Sequence, residues 1–434
     1  MDVPDVRYTR SGDVAIAYQV VGDGEHDLVL VPFLANLWSL WRLPGFDAFG
    51  EALARGRRLM VVNPRGVGLS DRPRGFTIES RMDDIRAVMD AVGSERAAVL
   101  GIAESAGTCA FFAASYPERV ERLLLFCPYA RGVADEDGRR QALQRMADER
   151  DLWGDRAYLE GMARQLNPQW SDSSEYLDAF VWHHRLTSSP ATILEFRRMQ
   201  IDLDITEVLP AIRVPTLVMS KVGMREESRE VARSIPGAEL VEIPGQGYAI
   251  WENDFALEAI EEFLKGASPR HVPDTVLATL LFADLVGSTE RAAELGDRAW
   301  REVLAQHRAL VRRELERYSG QEVDTAGDGF FARFEGPARA IVCARAAVEV
   351  TRGLGLDLRT GIHTGECELV DGKPAGLSVH VGARVCARAG VGEVLVSGTV
   401  KDLVAGSGLA FDERGEHELK GVPGRWRLYA VLDG

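Results

Sequence analysis

From residue 14 to about 264, short apolar runs alternate with amphipathic stretches, the pattern of a doubly wound α/β sheet. The runs at 14–20, 28–32, 58–62, 97–101, 122–126, 216–220 and 238–243 are short, aliphatic and bounded by Gly, Pro or charged residues, so each predicts a strand. Between the fifth and sixth lies a longer helical segment, roughly 130–209, rich in Arg, Glu, Trp and Met, which predicts a cap over the sheet. A helix at 256–264 closes the unit, and the polar, Pro-bearing stretch 266–273 predicts a linker between a first domain, 1–265, and a second, 274–434.

The second domain opens differently. Residues 276–283 are apolar, end in Asp284, and lead through Gly287-Ser288-Thr289 into a helical pattern at 290–318. An acidic residue at the carboxyl end of a buried strand, followed by the free N–H groups of a helix start, suits a cation and the phosphates it carries. Further on, Gly327-Asp328-Gly329 predicts a hairpin turn, with Val323 and Thr325 before it and 330–334 after it. If the two strands pair, the carboxylates of Asp284 and Asp328 converge, and with phosphate oxygens they can hold a pair of Mg²⁺ ions. The plainer alternative makes Asp284 a helix cap and Asp328 a turn residue.

Composition narrows the classes. A chain of 434 residues exceeds one ordinary domain, and 46% hydrophobic residues suffice for buried cores. A formal charge of −15 and the scarcity of basic clusters argue against nucleic acid as a partner, because that binding needs Lys and Arg against phosphates. Five scattered Cys residues argue against a disulfide framework or a zinc knuckle. No stretch reaches the apolar length of a membrane span and no charged leader precedes an apolar run, so no membrane partner and a cytoplasmic location are expected.

Residues 275–432 resemble the class III nucleotide cyclase homology domain. The resemblance rests on the two Asp stretches together with Arg359-Thr360-Gly361-Ile362-His363-Thr364-Gly365-Glu366, Val379-His380-Val381-Gly382-Ala383-Arg384-Val385, Gly392-Glu393-Val394-Leu395-Val396-Ser397 and Glu418-Leu419-Lys420-Gly421. It implies an α+β, ferredoxin-like domain in which the ribose 3′-oxygen attacks the α-phosphate of a nucleoside triphosphate. By the same resemblance Asp284, Asp328 and the carbonyl of Leu285 hold two Mg²⁺ or Mn²⁺ ions, and amides around Gly287, Ser288 and Thr289 cradle the β and γ phosphates. Arg384 takes the charge developing on the α-phosphate, and Lys420 meets the triphosphate. Three positions depart from the commonest pattern: Asp324 stands for a base-reading Lys, Ser378 for its Asp or Thr partner, and His380 for a ribose-positioning Asn. Asp324 accepts hydrogen bonds where Lys donates, which favours the exocyclic amine of adenine and hence ATP. Family geometry places the metal residues on one subunit and Arg384 on the other, so a homodimer is expected.

The first 250 residues or so resemble an α/β-hydrolase, through Asn63-Pro64-Arg65-Gly66-Val67-Gly68-Leu69-Ser70-Asp71, Leu100-Gly101-Ile102-Ala103-Glu104-Ser105-Ala106-Gly107, Tyr116-Pro117-Glu118-Arg119-Val120, Val214-Pro215-Thr216 and Ile243-Pro244-Gly245. Such enzymes need a Ser on a tight turn, a His and an acid. Counting from Gly101 and from Tyr116-Pro117, the elbow falls on Ala103, which has no oxygen to attack with. Tyr248 occupies the His position, and Met224 lies where the acid is due. The unit is therefore expected to be an inactive hydrolase. It is either a pocket for a small apolar ligand that regulates the cyclase or a structural, dimerising unit; this pairing of domains also resembles an actinobacterial subgroup. Two further readings stay open for the chain: a nucleotide-binding sensor or scaffold without turnover, and an esterase acting through Ser105.

Overall fold

Aliphatic residues buried on both faces of a parallel sheet need no polar alternation, which is why the first unit's strands read as continuous apolar runs. The computed structural model describes residues 3–133, 135–221, 225–245, 247–266, 275–326, 328–370 and 373–432. It divides the chain into two compact units, Met1–Pro273 and Asp274–Gly434.

In the first unit, β1 (Arg7–Ser11), β2 (Val14–Val21), β3 (His26–Val31), β4 (Arg57–Asn63), β5 (Ala97–Ile102), β6 (Val120–Phe126), β7 (Thr216–Lys221) and β8 (Glu239–Ile243) form one sheet. Their order is β1-β2-β4-β3-β5-β6-β7-β8, with β3 to β8 parallel and β1 and β2 antiparallel to their neighbours. Helices α1 (Leu37–Leu40) and α2 (Phe46–Ala54) follow β3, α3 (Ile78–Val92) follows β4, and α4 (Glu104–Ser115) follows β5. The predicted cap is four helices: α5 (Glu136–Leu152), α6 (Arg156–Leu166), α7 (Ser174–Thr187) and α8 (Pro190–Asp202). Helices α9 (Arg225–Ser234) and α10 (Asp254–Lys265) complete the unit. All seven predicted strands are present. Sequence pattern missed β1, a polar edge strand with most of its residues exposed, which carries no apolar signal. Most of the predicted linker, 267–273, lies outside the described residues.

The second unit comprises β9 (Thr275–Leu285), α11 (Ser288–Arg317), β10 (Gln321–Ala326), β11 (Gly329–Phe334), α12 (Pro337–Arg352), β12 (Leu358–Val370), β13 (Lys373–Ala375), α13 (Leu377–Arg388), β14 (Val394–Ser397), α14 (Gly398–Leu403), β15 (Phe411–Glu418) and β16 (Arg425–Val431). Its sheet runs β10-β11-β9-β12-β14-β16-β15, with β13 on β12. Period-two alternation along β9 sends Leu281, Ala283 and Leu285 into a core with Ala340, Ile341 and Ala344 of α12. Phe282 and Asp284 therefore share the opposite face, where α13 lies. That helix packs closely: a Cβ on Gly361 of β12 would come within 2.0 Å of the Cys386 backbone nitrogen. Helix α11 begins two residues earlier than the pattern implied and is broken at Gly296, whose φ of 78° and ψ of 157° no helix contains.

All five Cys residues are buried and free. Among the described residues no helix is long and apolar enough to cross a membrane.

Candidate functional site

Asp284 is the penultimate residue of β9 and lies directly opposite Arg359 in the antiparallel β9–β12 pair. The guanidinium meets Asp284 Oδ2 through Nη2 at 2.5 Å and Nε at 3.1 Å, so one oxygen takes both bonds. This ion pair raises the Arg359 pKa above its ordinary value, its hydrogen bond to Asp284 being the largest cause. The β10–β11 hairpin pairs Ala326 with Gly329, and Asp328 lies in the turn just before Gly329. Since Phe330 pairs with Ala283, continuing the register sets the turn with Asp328 beside the end of β9, and Arg359 feels the Asp328 charge as well. A bulge between Glu322 and Asp324 puts Asp324 opposite Phe331, whose ring stacks on Phe282 at 4.4 Å. Asp284, Asp324 and Arg359 consequently line one cavity of about 320 Å³, roofed by Ala383, Cys386 and Ala387 of α13.

The other predicted residues sit elsewhere. His380 and Arg384 are exposed one turn apart on α13, and neither lines that cavity. Arg384 Nε donates to the backbone carbonyl of Lys420 at 3.0 Å, which brings those two predicted phosphate-binding residues together. Ser378 is buried, and its hydroxyl donates to the Glu366 carbonyl at 2.7 Å, a structural bond that ties α13 to β12. Asp324 is exposed; its Oδ1 accepts from the Thr325 amide at 3.0 Å, and its other oxygen has no partner among the described residues. Gly287 has a left-handed φ of 69° and no side chain caps α11, so the first N–H groups of that helix stay open to a ligand. Ser288 starts the helix, and the Thr289 side chain lies outside the described residues.

Two carboxylates, a backbone carbonyl and solvent make an all-oxygen donor set that suits Mg²⁺ or Mn²⁺, and Asp284 Oδ1 has no partner among the described residues. No group of three His, Cys, Asp or Glu side chains capable of holding a metal occurs among the described residues. Completing such a site takes substrate phosphates and water, as Mg²⁺ commonly requires. Sequence reasoning missed Arg359, although it stands in a quoted motif; the available signal is an Arg at the start of a strand otherwise buried beside β9.

In the first unit the strained elbow falls on Ala103, with φ 50° and ψ −116°, between β5 and α4. Ser105 lies inside α4, is buried, and donates its hydroxyl to the Pro32 carbonyl at 3.0 Å. Met224 is outside the described residues, whereas Tyr248 faces the same cavity as Ala103. That cavity, about 820 Å³, lies at the carboxyl ends of the paired strands β3 and β5, where the strand order reverses, the switch point at which such sheets bind ligands. A polar cluster that sequence could not reveal sits in it. Arg197 of α8 holds Glu149 of α5 through two bonds, at 3.0 and 3.2 Å, and reaches Glu104 only at 3.5 Å. Burial pushes the Glu104 carboxyl up to about 7 and the His183 and His184 imidazoles, in the same wall, down to about 3 and about 4.

Two family models match the chain, one after the other. A family model described as alpha/beta hydrolase fold matches residues 29–212, and one described as Adenylate and Guanylate cyclase catalytic domain matches residues 272–433. The chain is 30% identical over 228 residues to "Putative carbamate hydrolase RutD" of Caulobacter sp. (strain K31), covering 50% of this chain and 84% of that protein. It is 28% identical over 156 residues to "Putative adenylate cyclase 3" of Rhizobium meliloti (strain 1021), covering 34% of this chain and 26% of that protein. The enol-lactonase of Burkholderia xenovorans LB400 superposes with a TM-score of 0.52 at 22% identity, over 60% of this chain and 100% of that one, a likeness of fold. The chain thus belongs to the α/β-hydrolase fold family in its first unit and carries an adenylate and guanylate cyclase catalytic domain in its second.

Proposed function

We propose that the second unit converts ATP to cyclic AMP and pyrophosphate at a homodimer interface, and that the first unit is a regulatory, ligand-binding module without hydrolase activity. The observation that carries the cyclase reading is the meeting of Asp284, Asp324 and Arg359 on one sheet face, beside the turn of Asp328, within the matched segment. Two Mg²⁺ or Mn²⁺ ions bound there would ease loss of the ribose 3′-proton and departure of pyrophosphate. Asp284 and Asp328 would supply the anionic oxygens, and the open amides of α11 would hold the triphosphate tail. Arg384, tethered to Lys420, would come from the partner subunit, a reading supported by its absence from the lining of its own chain's acidic cavity. The free oxygen of Asp324 accepts from an exocyclic amine, which favours adenine.

For the first unit, the support is an elbow occupied by Ala103 and a buried Ser105 whose hydroxyl is already engaged. The deciding experiment incubates the full chain with Mn²⁺ and each of ATP, GTP, CTP and UTP, with Asp284→Ala as control. Cyclic AMP in excess over the other products, lost in the variant, is expected. No cyclic product from any nucleotide would overturn the cyclase reading, and a different preferred base would overturn the choice of ATP.

A further inference from the structure

We infer that the cavity beneath the cap binds a small, uncharged, largely hydrophobic molecule bearing one hydroxyl, with Glu104, Tyr129 and Tyr248 meeting that hydroxyl. The space, about 820 Å³, is of the size that encloses a drug-like molecule, and its walls include Met146, Met162, Leu166, Phe180 and Trp251. Such walls favour an apolar body. The polar groups at its floor, beside Ala103, are under-bonded. Glu104 Oε2 has no hydrogen-bond partner among the described residues, and the carboxyl otherwise meets only Arg197, at 3.5 Å, and its own backbone N–H. The Tyr129 and Tyr248 hydroxyls line the same space, feel the Glu104 charge, and have no hydrogen-bond partner among the described residues. Buried polar groups without partners are costly, so a guest that satisfies them gains affinity.

A hydroxyl does so in both directions, donating to the carboxylate and accepting from a tyrosine. Charged heads are disfavoured from both sides. An anion would face Glu104 and Glu149 while the Arg197 donors are engaged by Glu149 and by Gln200 at 2.9 Å. A cation would enter beside Arg197 and near the fully buried Arg81, whose charge also reaches Glu104. The hydrolase fold thus retains a substrate-sized room whose chemical centre has become a recognition centre.

This inference rests on reading the first unit as a binder and not a hydrolase, and the two can fail separately. Titration of the full chain with 4-phenylbutan-1-ol, 4-phenylbutyrate and 4-phenylbutylamine, followed by calorimetry, varies only the head group. The alcohol should bind saturably and at least tenfold more tightly than the acid or the amine. Tyr248→Phe and Glu104→Gln, each checked for native circular dichroism, should weaken it at least fivefold. Equal or tighter binding of either charged analogue, no saturable binding of any of the three, or unchanged affinity in both variants would overturn the inference. Cleavage of 4-phenylbutyl acetate, in contrast, would overturn the non-hydrolytic reading and leave the alcohol site standing.

Discussion

Arg359 stands directly across the β9–β12 pair from Asp284 and places both its bonds on a single carboxylate oxygen, Oδ2. The fork therefore fixes the orientation of the carboxylate while Oδ1 is left for another ligand. Groups that orient a metal-binding carboxylate typically carry roughly a 10- to 100-fold effect. Arg359→Ala should accordingly lower cyclase kcat by about that factor and raise the Mn²⁺ concentration needed for half-maximal rate. Arg359→Lys should recover only part, because an ammonium lacks the fork. An unchanged Mn²⁺ dependence in Arg359→Ala would remove this positioning role.

A site shared between subunits makes a different prediction. Asp284→Ala and Arg384→Ala should each be inactive alone. Mixed and allowed to exchange, half the dimers would be hybrids with one intact site in two, restoring roughly a quarter of the parent rate. No recovery after demonstrated subunit exchange would show that Asp284 and Arg384 act from the same chain.

Ser105 invites a test of the esterase alternative. Its hydroxyl is buried and bonded to the Pro32 carbonyl, so Ser105→Ala should cost about 1 to 2 kcal/mol of stability in denaturant unfolding, with no change in fluorophosphonate labelling, which should be absent in the parent. Ala103→Ser should also remain unlabelled, because Tyr248 stands at the position where such enzymes carry their His, and the two imidazoles in that cavity, His183 and His184, are bonded to Ser39 and to the Phe180 carbonyl and are pushed down to about 3 and about 4 by burial. Labelling of the parent that Ser105→Ala abolishes would establish an esterase.

Glu104 gives a pH signature with a defined sign. Burial pushes its carboxyl up to about 7 from an ordinary 4.5, so between those values the folded chain keeps a proton that the unfolded chain releases. This contribution to stability is complete below pH 4.5 and is lost as the pH rises through 7. Glu252, likewise raised to about 7 by burial, acts in the same sense, and His183 and His184, lowered by burial, act oppositely. Comparing Glu104→Gln with the parent isolates the one group. As the pH goes from about 5 to about 8 the variant should gain stability relative to the parent, with a slope approaching about 1.4 kcal/mol per pH unit while the folded parent holds the proton. A pH-independent gap between the two unfolding curves would mean that Glu104 does not titrate in this way.

Much of this molecule could be read from its sequence because its decisive strands are buried. The runs that became β3, β5 and β6 each hold at least four consecutive buried residues, the mark of a strand covered on both faces. The elbow at Ala103 followed from counting between Gly101 and Tyr116, since a tight strand-to-helix turn admits no slack. What stayed hidden depended on distance along the chain or on weak pattern. The exposed strand β1 has no hydrophobic rhythm, and Gly296 breaks a helix whose residues on either side keep helical spacing. Glu104, Glu149 and Arg197 come from three separate helices and carry no common motif. Ser378 looked like a ligand-facing residue by position, yet its bond to Glu366 turns it inward.

The β9–β12 ladder pairs every residue from Leu358 with Leu285 to Glu368 with Thr275, without a bulge. Inserting or deleting one residue within either strand would invert the facing of everything beyond it, sending Asp284 among the aliphatic side chains or Arg359 away from it. Changes of length in this part of the chain are therefore tolerable only in the connections, and a single-codon indel between 276 and 284 should be as damaging as loss of the acid itself.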